Sequence, residues 1–182
     1  MGRRKTGDLR LDCDTLEPGK RPMTTAERHA LIERYARGPQ LLADALSKVP
    51  AEALQWRPGP GKWSVHEVIC HCADSETNAA MRIRFLVGED NPTIVGYDQD
   101  RWAAAFDYHR LPLEVSLRQV EAVRAYTTAL IRQLPDSAWS RSGTHTESGN
   151  YTAERWLNIY AEHLEQHARQ IERNLAAWET RA

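Results

Sequence analysis

A chain of 182 residues suits one compact domain, and its 41% hydrophobic and 27% charged residues exclude a disordered polymer. Lys plus Arg number 24 against 25 Asp plus Glu, so the formal net charge of -1 offers no field to attract nucleic-acid phosphates or anionic lipid. No apolar run has the length of a signal peptide or a membrane span, and Cys13, Cys70 and Cys72 are an odd number suited to a reducing compartment. A cytoplasmic protein without a disulfide framework is expected.

Residues 1–22 hold Gly, Pro and charge without apolar periodicity and read as a loosely ordered lead-in to a helical domain over 23–182. Thr24 with Glu27 predicts a capping box, followed by Leu31, Ile32, Tyr35, Leu41, Leu42 and Leu46 at helical spacing. Gly38-Pro39 should kink or interrupt this first helix. Arg57 to Lys62, with two Pro and two Gly, is a strong breaker, and Ser64 with Glu67 then opens a second helix to about Val87.

Gly88 to Leu111 is a long connection with a short helix around Asp100 to Phe106, and such a crossover permits parallel neighbours. Pro112 suits the start of a third helix whose apolar face carries Val115, Leu117, Val120, Val123, Leu130, Ile131 and Leu134, and Pro135 ends it. Residues Ser140 to Asn150 read as a loop, after which Thr152 caps a fourth helix to about Trp178. No alternating pattern is strong enough to predict a strand. Four main helices, an all-α four-helix bundle with a long crossover between helices two and three, are the result.

His163-Leu164-Glu165-Gln166-His167 places two imidazoles four residues apart on one helix face, within reach of one ion. His71, mid-helix beside Val68, Ile69 and Cys72, is the best third ligand. The same spacing also suits solvated surface histidines, so spacing alone leaves both readings open.

Trp63-Ser64-Val65-His66-Glu67-Val68-Ile69-Cys70-His71-Cys72-Ala73-Asp74, preceded by Trp56-Arg57-Pro58, resembles the W-S-x-x-E-x-x-x-H-x-x-D signature of the DinB-like, damage-inducible superfamily. Tyr160 to His167 is similar to that family's H-x-x-x-H, and the two motifs stand in the family's order. The resemblance covers most of residues 24–178. It implies a four-helix bundle holding one divalent metal ion with His71, His163 and His167. Relatives in that family include thiol S-transferases that use mycothiol or bacillithiol, maleylpyruvate isomerases and proteins labelled metal-dependent hydrolases, while many others have no assigned activity, and the family's name refers to stress induction.

Three neutral imidazoles leave a coordination position for water or substrate, and zinc or nickel suits them. Such an ion can activate water or a low-molecular-weight thiol against a small electrophile. Asp74, three residues after His71, is the candidate catalytic base, with a surface salt bridge as the equal alternative. Expected partners are a small-molecule substrate and a second copy in a homodimer, with no nucleic acid or membrane; a non-catalytic metal-binding bundle with a stress-response or partner-binding role is the alternative function. Protons should compete for the ligands below about pH 6.

Other motifs fail on geometry. His66 and His71 are five residues and about 140° apart on a helix, so His66-Glu67 begins no zinc-protease motif. Cys70 and Cys72 point away from His71, and Gly61-Lys62-Trp63-Ser64 lacks phosphate-loop spacing. His66 and His29 are expected to be exposed, Trp56 and Trp63 to pack at the bundle end, and Glu162 and Glu165 to be surface charge.

Overall fold

Thr24 and Ser64 start two long helices as their local sequence dictates. In the computed structural model, which describes residues 21–181, the Thr24 hydroxyl accepts from the Glu27 amide while Glu27 reaches back to the Thr24 amide, opening α1 (Thr25–Leu46). Ser64 and Glu67 repeat the exchange at α2 (Val65–Gly88). Asp98 caps the short α3 (Gln99–Ala105), Pro112 precedes α4 (Leu113–Arg132), and the Thr152 hydroxyl accepts from the Arg155 amide to open α5 (Ala153–Glu179). The expected lead-in lies outside the described residues except for Arg21 and Pro22, as does Cys13.

α1 packs on α5 and α2 on α4, with α1 against α4 and α2 against α5 closing the square. Arg34 pairs with Glu162 and Glu165 and Lys48 with Glu172, so α1 and α5 run parallel. Cys70 meets Ser116 and Glu76 meets Arg124, so α2 and α4 also run parallel. The connection between them must travel back along the bundle, which explains its length. α2 and α5 are antiparallel: the Asn174 amide donates to the Trp63 carbonyl at one end, and the Trp156 indole donates to Ala79 at the other.

Three expectations are corrected. The 140–150 loop is instead a hairpin of β2 (Ser142–His145) and β3 (Gly149–Thr152), with β1 (Thr93–Ile94) parallel to β2 through the pairs Thr93–Thr144 and Ile94–His145. Its strands are too short for alternation to register, and Gly143 is required because a Cβ there would stand 2.3 Å from the Pro92 carbonyl oxygen. Gly38-Pro39 does not interrupt α1. Pro39 withholds an amide from the Tyr35 carbonyl, and Arg124 of α4 supplies the replacement donor at 2.6 Å. Finally, α4 is rotated from the expected face, burying Arg124, Thr127 and Thr128 and leaving Val115 half exposed. No helix among the described residues is long and apolar enough to cross a membrane.

Candidate functional site

His71 lies two turns into α2, and His163 and His167 lie one turn apart near the middle of α5, so antiparallel packing of the two helices brings all three to one level. All are buried, and one ligand nitrogen from each falls within 4.8 Å of the others. Trp63 stacks on His71 with ring centroids 4.8 Å apart, walling the cluster rather than merely filling the bundle end.

The hydrogen bonds behind the rings assign their tautomers. His163 Nδ1–H donates to Glu76 at 2.7 Å, and His167 Nδ1–H donates to the Gln170 side-chain oxygen at 2.8 Å. In the neutral tautomers each Nε2 presents a lone pair, and these two atoms stand 3.2 Å apart. Facing lone pairs repel unless a positive species lies between them. Two nitrogens bound to a first-row ion at tetrahedral angles would be about 3.3 Å apart. His71 Nδ1 is buried without any hydrogen-bond partner, a deficit that costs about 1–3 kcal/mol if nothing ligates the ring.

A proton suits His71 and His167 poorly. Burial, then the neighbouring imidazoles, hold His71 well below the usual histidine range, and burial followed by His163 lowers His167 to about 3. Neutral imidazoles are the ligating form. The residues present fit a divalent cation.

Glu76 is itself buried and held by Arg124 through two contacts of 2.5 and 2.7 Å. Burial raises its pKa, but the Arg124 charge and the His163 hydrogen bond outweigh this and leave it below the ordinary carboxylate range. Arg124 is fixed in turn by the Tyr35 and Tyr160 carbonyls. Sequence reading passed over this pair. The available signal was a charge in each of two apolar stripes: Glu76 follows Cys72 by four residues, and Arg124 follows Val120 by four.

Asp74 does not join the histidine nitrogens; its carboxylate accepts from the Tyr108 hydroxyl at 2.5 Å and is half-buried on α2, one turn from His71. Burial, then that hydrogen bond, push the Tyr108 phenol well above its usual range, so it remains a donor. His66 is buried, contrary to expectation, because its Nε2 reaches the Leu111 carbonyl at 2.8 Å and ties the crossover to α2. Cys70 and Cys72 are buried free thiols. Glu162 and Glu165 hold Arg34, and His29 is exposed.

The model of the DinB superfamily matches residues 34–171. A relative from Oceanobacillus iheyensis, named "putative metal-dependent hydrolase", is 36% identical over 133 residues, which are 73% of this chain and 77% of its own. A Bacillus cereus protein of the same name is 28% identical over 84% of this chain and 87% of its own. Among solved structures, YfiT from Bacillus subtilis, a four-helix bundle of unusual topology, superposes with a TM-score of 0.82 at 24% identity over 90% of this chain and 94% of its own. The mycothiol-dependent maleylpyruvate isomerase superposes with a TM-score of 0.64 at 18% identity, over 82% of this chain and 63% of its own.

Proposed function

This chain belongs to the DinB superfamily, and from that premise we propose that it is a metal-dependent enzyme acting on a small electrophilic substrate, with one divalent ion held by His71, His163 and His167. The observation that carries this reading is the pair of Nε2 atoms 3.2 Å apart, on rings each oriented by a bond from Nδ1, with a ligand nitrogen of His71 within 4.8 Å of them. Zinc or nickel suits three imidazole ligands, and such an ion with a free position supplies the Lewis acidity that makes water or a low-molecular-weight thiol a competent nucleophile at neutral pH.

The chain's own residues do the rest. Glu76 and Gln170 keep the His163 and His167 rings turned with Nε2 towards the centre of the cluster, while Trp63 shields His71 from water. Asp74, steadied by Tyr108, is the carboxylate available to take the nucleophile's proton, its second oxygen being free of that bond.

The test is metal content by inductively coupled plasma mass spectrometry on tag-free protein, wild type beside His71→Ala and His163→Ala. Near-stoichiometric zinc or nickel in the wild type, lost in both variants, is expected. A wild type that takes up neither ion after reconstitution overturns the reading.

A further inference from the structure

Arg82 lies eleven residues beyond His71 on α2, about 20° from it around the helix axis and three turns further along. Its side chain leans back towards the histidines: Nη1 donates to the Tyr160 hydroxyl at 3.0 Å, and the Tyr160 ring packs 5.6 Å from that of His163. Nη2 donates to the Val95 carbonyl at 2.9 Å, and the guanidinium lies over the Tyr97 ring. Every one of these partners is neutral. The group is half-buried, and no carboxylate among the described residues stands within ion-pair distance. Arg28, Arg34 and Arg124 each have an acid, whereas Arg84 and Arg155, half-buried like Arg82, lie over tyrosine rings with no ion-pair partner among the described residues. A partly desolvated cation without a counter-ion is costly unless a ligand supplies one.

The small sheet delivers a second donor to the same place. The strand pair Ile94–His145 sets His145 beside the backbone that Arg82 holds. His145 Nδ1 accepts from the Glu147 amide at 3.2 Å, so in the neutral ring Nε2 carries the hydrogen, and no group among the described residues accepts it. Burial, then the Arg82 charge, lower the His145 pKa, so the ring is neutral near pH 7. The Glu147 carboxylate lies against Gly96. The Tyr97 and Tyr160 hydroxyls both lie beside Ser75, which stands one turn from His71 on the path between the two groups. Asp74, an acid that acts on Tyr97, accepts from Tyr108 through one oxygen.

We propose that Arg82, the His145 Nε2–H and the Tyr97 and Tyr160 hydroxyls form a binding site for the carboxylate of the molecule that reacts at the three histidines. This rests on the function proposed above and deepens it by naming a substrate class. Arg is the residue for planar, two-point recognition of a carboxylate, and the Tyr97 and Tyr160 hydroxyls and the His145 Nε2–H beside it can donate as well. From the helix rise and the reach of the Arg side chain, the carboxylate site and the histidines are on the order of 10 Å apart, about the length of three extended residues. The favoured substrate is an elongated small molecule with a carboxylate at one end and its electrophilic atom at the other.

The test is calorimetric titration of the full chain, as purified and after chelation, with hexanoate, with hexanamide of the same shape, and with inorganic phosphate. Wild type should bind hexanoate about 10–100-fold more tightly than hexanamide, the range expected for charge-assisted hydrogen bonds. Arg82→Gln should abolish that preference. Arg82→Lys should retain part of it as a point charge, and His145→Gln should weaken it several-fold, both with unchanged metal content. Equal binding of hexanoate and hexanamide by wild type, tighter binding of phosphate, or an undiminished preference in both Arg82→Lys and His145→Gln overturns the proposal. If Arg82→Gln fails to fold, the other two variants decide. A preference that survives chelation in a protein that binds no metal leaves the carboxylate site standing while the metal reading falls. Metal uptake without the preference does the reverse.

Discussion

Arg124 is a guanidinium with 1% exposure in the middle of a helical bundle, yet every strong direction around it is occupied. It neutralises Glu76, covers the Tyr35 ring and closes the carbonyl that Pro39 leaves open. Removing it as Arg124→Met would leave the Glu76 carboxylate buried without its guanidinium partner, and urea unfolding should report a loss of about 3–5 kcal/mol. The double variant Glu76→Gln/Arg124→Met should recover part of that loss, because the charge is then gone. Full additivity of the two single substitutions would show that the pair is not coupled. The same pair orients His163, so the residue that reads most like a misplaced surface charge supports the site from behind.

At the scale of elements, the close passage of α1 over α5 depends on Gly38. A Cβ there would stand 3.0 Å from Leu164 Cβ and 3.2 Å from Arg124 Nη1, neither of which can retreat without moving α5 or the Glu76 pair. Gly38→Ala gains up to about 1 kcal/mol in helix propensity, but overpacking costs about 1–3 kcal/mol, so a net loss of stability is expected from chemical denaturation. A net gain would mean that the α1–α5 contact has slack. This contact also shows where sequence reading stops. Helix starts at Thr24, Ser64, Pro112 and Thr152 were legible because caps are local. The family signature and the His163–His167 interval likewise named the residues that the fold gathers. Gly38-Pro39 was misread as a break because the donor that repairs it comes from α4, and β2 and β3 were missed because Gly143 and Gly149 are required by a partner strand and a turn rather than by any periodicity. Arg82 and His145 become neighbours only once that sheet exists.

For the molecule as a whole, the buried histidine cluster joins α2 to α5, and His71 and His167 make stability depend on pH in one direction. His71 and His167 have folded-state pKa values below the unfolded value of about 6.5. As pH falls below about 6.5 the unfolded chain takes up protons that the folded chain refuses, so their contribution is complete above that pH and is lost progressively towards about 3, the folded value of His167. Each histidine adds at most about 1.4 kcal/mol per pH unit to the slope. Glu76, lowered in the folded state, adds a second loss that begins only below the ordinary carboxylate range, near 4.5. In metal-free protein the urea midpoint should therefore already fall between pH 6.5 and 5, and His167→Gln should reduce that slope. Saturating zinc should hold the midpoint level to a lower pH, because the ion binds the neutral rings and the buried histidines resist protonation, so release starts below the pH of about 6 expected of free imidazoles. A metal-free wild type whose midpoint stays flat from pH 7 to 5 would show that the cluster accepts protons while folded, and the case for a cation between His163 and His167 would then lose its electrostatic basis.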